Sequence, residues 1–178
     1  MISESWYWKK PLLEAADRFE ALKSAGDLSD EQLAEIEREI FIGFYSVRKL
    51  FEAVAKITDA TKAMKVQVDW YPNREAVTWR NNHRISEIYD LTVSNQETRA
   101  LRFICGRIIH SFVFSPCIEE DGGLAGIFFT SDIDKDEKLY FLSINQVIEI
   151  FQRVGNDDPV NIVWSKDAQT GEETLVVG

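Results

Sequence analysis

Apolar residues recur every three or four positions through the first third of the chain. Leu12, Leu13, Ala16, Phe19 and Leu22 share one side of a helix over residues 4–25, with Gly26 as its stop. From Asp30 the same step continues through Leu33, Ile36, Ile40, Phe44, Val47, Leu50, Val54 and Ile57. Ser29 followed by Gln32 is a capping box at the start of this second helix. Phe41, Ile42 and Phe51 widen its stripe, as expected for a helix central to a bundle. The short connection makes the two helices antiparallel neighbours.

Periodicity then falters. Val66, Val68 and Trp70 alternate in strand fashion and stop at Pro72, but residues 62–93 otherwise read as an irregular insert. Ser94 and Glu97 form a second capping box, which predicts a third helix from residue 94 to about Phe112, broken by "SPCIEEDGG". The last third changes character. "LAGIFFTS" and "KLYFLS" flank the acidic turn "DIDKDE" as an antiparallel pair. Ser143 and Gln146 cap a short helix that ends at Gly155, and "VNIVWS" with "TLVV" makes a final hairpin. These elements predict one α+β domain over residues 1–178. Its core is an antiparallel helical bundle with a small C-terminal antiparallel β-sheet and one short helix. Residues 1–118 form the mainly helical part and residues 119–178 a β-rich extension.

Charge sharpens this picture. The net charge is −10, which excludes a surface that binds nucleic acid throughout, but its distribution is uneven. Residues 1–61 carry 8 Lys/Arg against 12 Asp/Glu, residues 62–118 carry 8 against 5, and residues 119–178 carry 4 against 13. The middle segment alone is positive, and it holds both histidines, His83 and His110. No apolar run approaches the ~18 residues of a membrane span, and the start lacks a signal-peptide pattern. Cys105 and Cys117 form no CxxC pair and are expected as reduced thiols in a cytoplasmic protein.

The candidate chemistry lies in that positive segment. "WYPNREAVTWRNNHR" interleaves aromatics with Arg74, Arg80, His83 and Arg84. Stacking on Trp79 and phosphate contacts from these side chains and Arg99 would suit single-stranded RNA. The alternative is that the tryptophans pin the loop to the core and the arginines answer acidic neighbours. On the third helix Leu101, Ile104, Cys105, Ile108 and Phe112 face one way. His110 falls opposite, with Arg99, Phe103 and Arg107. An imidazole beside arginine suits general-base attack by a ribose 2′-hydroxyl, with His110 as base and Arg107 or Arg102 on the phosphate. Asp132, Asp134 and Asp136 begin like a calcium loop, but Glu137 and Ser143 stand where Gly and Glu are needed, so a solvated turn is expected. No metal-ligand spacing, P-loop, Gly-x-Gly-x-x-Gly or nucleophile elbow appears, so no metal or cofactor is expected.

"FYSVRKLFEAVAKIT" (residues 44–58) and "ICGRIIHSF" (residues 104–112) together resemble two helices of the HEPN superfamily. The resemblance covers about half of the chain. It implies an antiparallel helical bundle, often dimeric, and in many members a metal-independent ribonuclease of toxin–antitoxin or phage-defence systems. The family motif places Arg four to six intervening residues before His. His110 fits it, and positions 103–105 are Phe, Ile and Cys, with Arg102 and Arg107 on either side. Two functions follow as expectations. One is an RNA-binding or RNA-cleaving protein. The other is a non-catalytic protein-interaction module whose acidic and aromatic surfaces take a partner protein.

Overall fold

In the computed structural model, which describes residues 2–167 and 169–178, both capping boxes that flank long apolar stripes are formed. Helix α1 spans Trp6–Leu22 and α2 spans Asp30–Glu52. At the head of α2 the Ser29 hydroxyl accepts from the Gln32 amide, and the Gln32 side chain accepts from the Ser29 amide. Helix α2 ends five residues short of its expected limit, because Ala53 turns extended and Ala55 takes a φ of 54°. A short turn, α3 (Asp59–Lys62), leads into strand β1 (Lys65–Pro72).

The middle of the chain departs most from its local signals. Residues Ser94–Glu97 cap no helix. Residues Asn95–Ala100 form strand β2, paired antiparallel to β1 from Lys65↔Ala100 to Trp70↔Asn95. A polar alternation carries no hydrophobic stripe, so pairing with β1 decides the conformation over the local helix signal. Helix α5 is then only Leu101–Ile109, after the one-turn α4 (Ile85–Ile88). The expected break is in fact strand β3 (Ser111–Ile118). Strands β4 (Leu124–Ser131) and β5 (Lys138–Ser143), helix α6 (Ile144–Gly155) and the hairpin β6 (Ile162–Lys166) with β7 (Glu173–Val177) follow as the sequence indicates.

The expected helical bundle is therefore corrected to a mixed fold built on a five-stranded antiparallel sheet. Its strand order is β2-β1-β5-β4-β3, with β6 and β7 as a separate pair. The sheet is not a C-terminal extension: β1, β2 and β3 all precede residue 119. Its closure depends on β1 pairing with β5, Asp69↔Phe141 to Pro72↔Lys138. Pro116 is tolerated because β3 is an edge strand. Among the described residues no helix is long and apolar enough to cross a membrane.

One face of the sheet carries α1, α2, α5 and α6. Phe19, Phe44 and Phe151 meet over Val66, Val68, Ile127, Phe129 and Leu142 in the main core. The opposite face is covered at one end by residues 73–93, so the irregular insert is an ordered flap. Val77, Ile88 and Tyr89 bury against Val113 and Leu139. The flap is tied down by Asn73 N–H to the Glu137 carbonyl (3.1 Å), Val77 N–H to Asp136 (2.7 Å) and Tyr89 O–H to the Lys135 carbonyl (2.7 Å).

A buried cation joins the ends of this frame. Lys9 on α1 is 1% exposed, and its ammonium donates to the Asp157 carbonyl and to the Asp158 carboxylate, just beyond α6. The Asp157 carboxylate in turn accepts the Thr58 amide (2.8 Å) and hydroxyl (2.6 Å) ahead of α3.

Two stability outcomes follow. A Cβ at Gly43 would lie 2.2 Å from the tip of the Phe151 ring, which Phe19 and Phe44 hold in place. Gly43→Ala should therefore cost about 1–3 kcal/mol in urea unfolding, against the usual helix gain from alanine. Lys9→Met should cost about 2 kcal/mol by the same measurement, since the Asp157 carbonyl loses a charged donor.

Candidate functional site

Helix α5 and the strand before it hold three of the six arginines that the sequence singles out, Arg99, Arg102 and Arg107. Phe103 lies between two guanidinium groups, with Arg99 at 4.8 Å from the ring centre and Arg107 at 4.5 Å. Its edge meets Tyr140 at 5.9 Å. Arg99 donates to one Glu97 oxygen (2.7 Å) and Lys138 to the other (2.6 Å), while Lys138 also sits 4.4 Å over Trp70. Arg107 pairs through Nε and Nη2 with Asp134, whose carboxylate also accepts from Ser131 (3.2 Å). Three cations, two carboxylates and three aromatic rings thus clamp β2, α5 and the β4–β5 turn together. Paired and stacked cations of this kind stabilise the fold, and little of their charge remains for a phosphate.

His110 is the residue that closes α5. Its amide donates to the Gly106 and Ile108 carbonyls, and its side chain is exposed. Arg107 reaches back one turn to Phe103, the direction helical side chains favour, whereas His110 lies toward the other end. Arg102 is exposed. Among the described residues no hydrogen bond or ion pair joins His110 to Arg107 or Arg102.

The flap places its own candidates on the surface. Arg74 pairs with Asp90 (2.7 Å), Arg84 with Glu87 (3.5 Å), and Arg80 stacks on Trp79 at 5.0 Å. Trp79 is 74% exposed and His83 is exposed. Of Trp70, Tyr71 and Trp79 only Trp79 lies in the flap and is presented to solvent, for Trp70 and Tyr71 belong to β1, where Trp70 lies under Lys138 and Tyr71 packs on Phe128. Asn82 donates to the Phe112 carbonyl (3.2 Å), so the flap tip and the end of α5 meet at one end of the molecule. Arg99 stands apart, inside the Phe103 cluster.

The acidic turn is occupied by its own fold. Asp132 pairs with Lys135 (2.5 Å), Asp134 with Arg107, and Asp136 accepts the Val77 amide. No three His, Cys, Asp or Glu side chains stand together to hold a metal among the described residues. Both cysteines are free, and burial pushes the Cys105 thiol up to about 12. Burial and the Glu119 charge raise Cys117 as well.

The surface that sequence reasoning missed is the C-terminal hairpin. All five residues of β6 are exposed, including Ile162 (52%), Val163 (51%) and Trp164 (59%), and Val176 of β7 is 54% exposed. Only its base is anchored. Val177 is buried and its amide donates to Asp59 (3.0 Å), while Asn161 and Gly178 exchange two backbone bonds. Around the hairpin, residues 156–178 carry Asp157, Asp158, Asp167, Glu172 and Glu173 against the single cation Lys166, itself paired with Glu173 at 3.3 Å. The alternating pattern that identifies these strands is the pattern of a half-buried sheet, so nothing local announces that both faces are bare.

Compared with known protein families, curated proteins and solved structures, the chain matches none.

The Glu97 clamp has a pH signature. Burial raises the Glu97 pKa, but hydrogen bonds from Arg99 and Lys138 outweigh it and leave the carboxyl below its ordinary value. Its stabilising contribution is therefore full above the unfolded carboxyl range and is lost as pH falls through the folded value. Glu97→Gln should cost about 1 kcal/mol at pH 7. The gap from wild type should close when unfolding is repeated at acid pH.

Proposed function

We propose that the chain is a non-catalytic protein-binding module that takes a basic protein partner on its C-terminal hairpin. The observation that carries this reading is the β6–β7 pair itself. An isolated two-stranded hairpin is marginal in water. Here it exposes Ile162 and Trp164 on one face and Val163 and Val176 on the other. Exposed apolar surface rimmed by charge marks a contact surface in a folded protein. The carboxylates around it set the sign of the partner: residues 156–178 carry five Asp/Glu against one Lys, and this negative charge attracts cationic surfaces and repels phosphate.

The RNA reading draws on the HEPN resemblance and on His110. The geometry favours it less, since Arg99 and Arg107 are engaged by Glu97 and Asp134. The fold provides no shared contact between His110 and a free guanidinium among the described residues.

The test compares wild type with Trp164→Ala as affinity baits in lysate of the native host. Because Trp164 is exposed, the variant should keep its fold. Wild type should retain one stoichiometric basic protein, released by raising salt from 50 to 500 mM. Trp164→Ala should bind it at least about tenfold more weakly, in line with ~2 kcal/mol for an interface tryptophan. Equal retention by both baits would remove the hairpin from the reading. Cleavage of single-stranded RNA by wild type, abolished in His110→Ala, would replace this reading with the ribonuclease.

A further inference from the structure

The backbone of the hairpin leaves one edge open in a regular way. In an antiparallel pair, residues alternate between exchanging hydrogen bonds with the partner strand and turning their N–H and C=O outward. Asn161 and Gly178 exchange both bonds, at 2.9 and 2.8 Å, and the Asp167 amide donates to the Glu172 carbonyl at 2.9 Å. With the register Ile162↔Val177 to Lys166↔Glu173, the inward residues of β6 are Val163 and Ser165. Ile162, Trp164 and Lys166 therefore point their backbone groups away from β7. The same parity turns Val177 outward on the other edge, and there its amide is taken by Asp59. The β7 edge is thus tied to the body at its base. Among the described residues nothing accepts from or donates to the outward groups of Ile162, Trp164 and Lys166.

Proteins ordinarily blunt such an edge by proline, a bulge, inward charge, lysine or a very short strand. β6 has only its modest length and Lys166 at its end, itself paired with Glu173. Of the first three devices it shows nothing: it is five residues long, unbulged and apolar at three of its positions. We infer that β6 is a docking edge, to which an extended, basic segment of a partner protein adds as a third strand. This rests on the protein-binding reading above and names its mode. Main-chain bonds to Ile162, Trp164 and Lys166 would supply the affinity. Apolar side chains of the added strand would lie beside Trp164 on one face and Val163 on the other. The carboxylates at the free end of the hairpin, Asp167, Glu172 and Glu173, outnumber the single Lys166 there and select lysine and arginine in the added segment. They also disfavour a second copy of this chain, which would bring the same carboxylates edge to edge.

The test uses the full chain and three nine-residue peptides with blocked termini. The first alternates Lys or Arg with Val or Thr, the second carries Glu for every Lys or Arg, and the third is the basic peptide N-methylated at residues of both edges. This N-methylation removes the hydrogen-bond donors of either edge and keeps the charge. The basic peptide should bind, read by a change in tryptophan fluorescence that Trp164→Phe removes. It should protect the amides of Ile162, Trp164 and Lys166 from exchange, while Val163 and Ser165 change little. The methylated peptide should bind at least tenfold more weakly, and the acidic one likewise. On the protein side, Ile162→Pro deletes an outward N–H without touching the β6–β7 ladder, so an edge strand should tolerate it. Its affinity should fall at least tenfold below that of Ile162→Ala, which controls for the lost side chain. Methylated and parent peptides binding within twofold of each other, or Ile162→Pro matching Ile162→Ala, would overturn strand addition and leave the protein-binding reading standing. Equal binding of acidic and basic peptides, with methylation still blocking both, would instead overturn the basic partner and keep the edge. Failure of the basic peptide to bind at millimolar concentration, or sedimentation of the free chain as a dimer with the same three amides protected, would overturn the proposal.

Discussion

A buried ammonium group is the constraint on which the arrangement of this molecule turns. An unpaired charge in a core costs several kcal/mol, so Lys9 can be buried only where oxygen atoms meet it. The Asp157 carbonyl and Asp158 carboxylate do so, and the Asp157 carboxylate then holds Thr58 at the start of α3. Three segments distant in sequence are fixed at one point. The chain beyond residue 158 accordingly leaves the body at a defined place, and Asp59, one residue from Thr58, anchors the last strand through Val177. The exposed hairpin is loosely covered but firmly rooted, which is the combination a docking strand requires.

The cations of the middle segment illustrate how tertiary pairing can consume a functional signal. Arg107 looks available in the sequence because its partner Asp134 lies 27 residues on, whereas Arg99 stands two residues from its partner Glu97, and Lys138 comes to the same carboxylate from β5. In the fold, Glu97 bridges Arg99 to Lys138 across two strands, and Asp134 arrives from the β4–β5 turn to meet Arg107. Phe103 and Trp70 fill the remaining space as stacking surfaces. A positive segment thereby becomes a structural clamp. The C-terminal third keeps an excess of carboxylates, 13 Asp/Glu against 4 Lys/Arg.

Much of the secondary structure was legible where the signal was local. Both capping boxes followed by apolar stripes, at Ser29 and Ser143, became helices, because the cap and the stripe act over one or two turns. The hairpins β4–β5 and β6–β7 were legible from short alternating runs on either side of polar turns. The Ser94–Glu97 box failed because no stripe follows it within reach and the open edge of β1 lies beside it. The bundle expectation failed with it. Two strands hidden in a polar run and a supposed break, β2 and β3, are what complete the sheet.

By itself, the sequence determined the elements whose stabilising contacts lie within a few residues, the uneven charge, and the lack of metal-ligand or nucleotide-loop spacing. It also placed His110 away from the buried stripe of its helix, and the structure leaves that side chain exposed at the helix end. Only the tertiary structure decided which strands join, since β1 and β5 are some seventy residues apart and no local pattern encodes their pairing. It likewise decided which charges are spent, and that the last hairpin meets no second layer. Exposure is a property of what packs against a strand. Among the described residues β6 is exposed throughout, and β7 is covered only toward its end, at Leu175 and Val177.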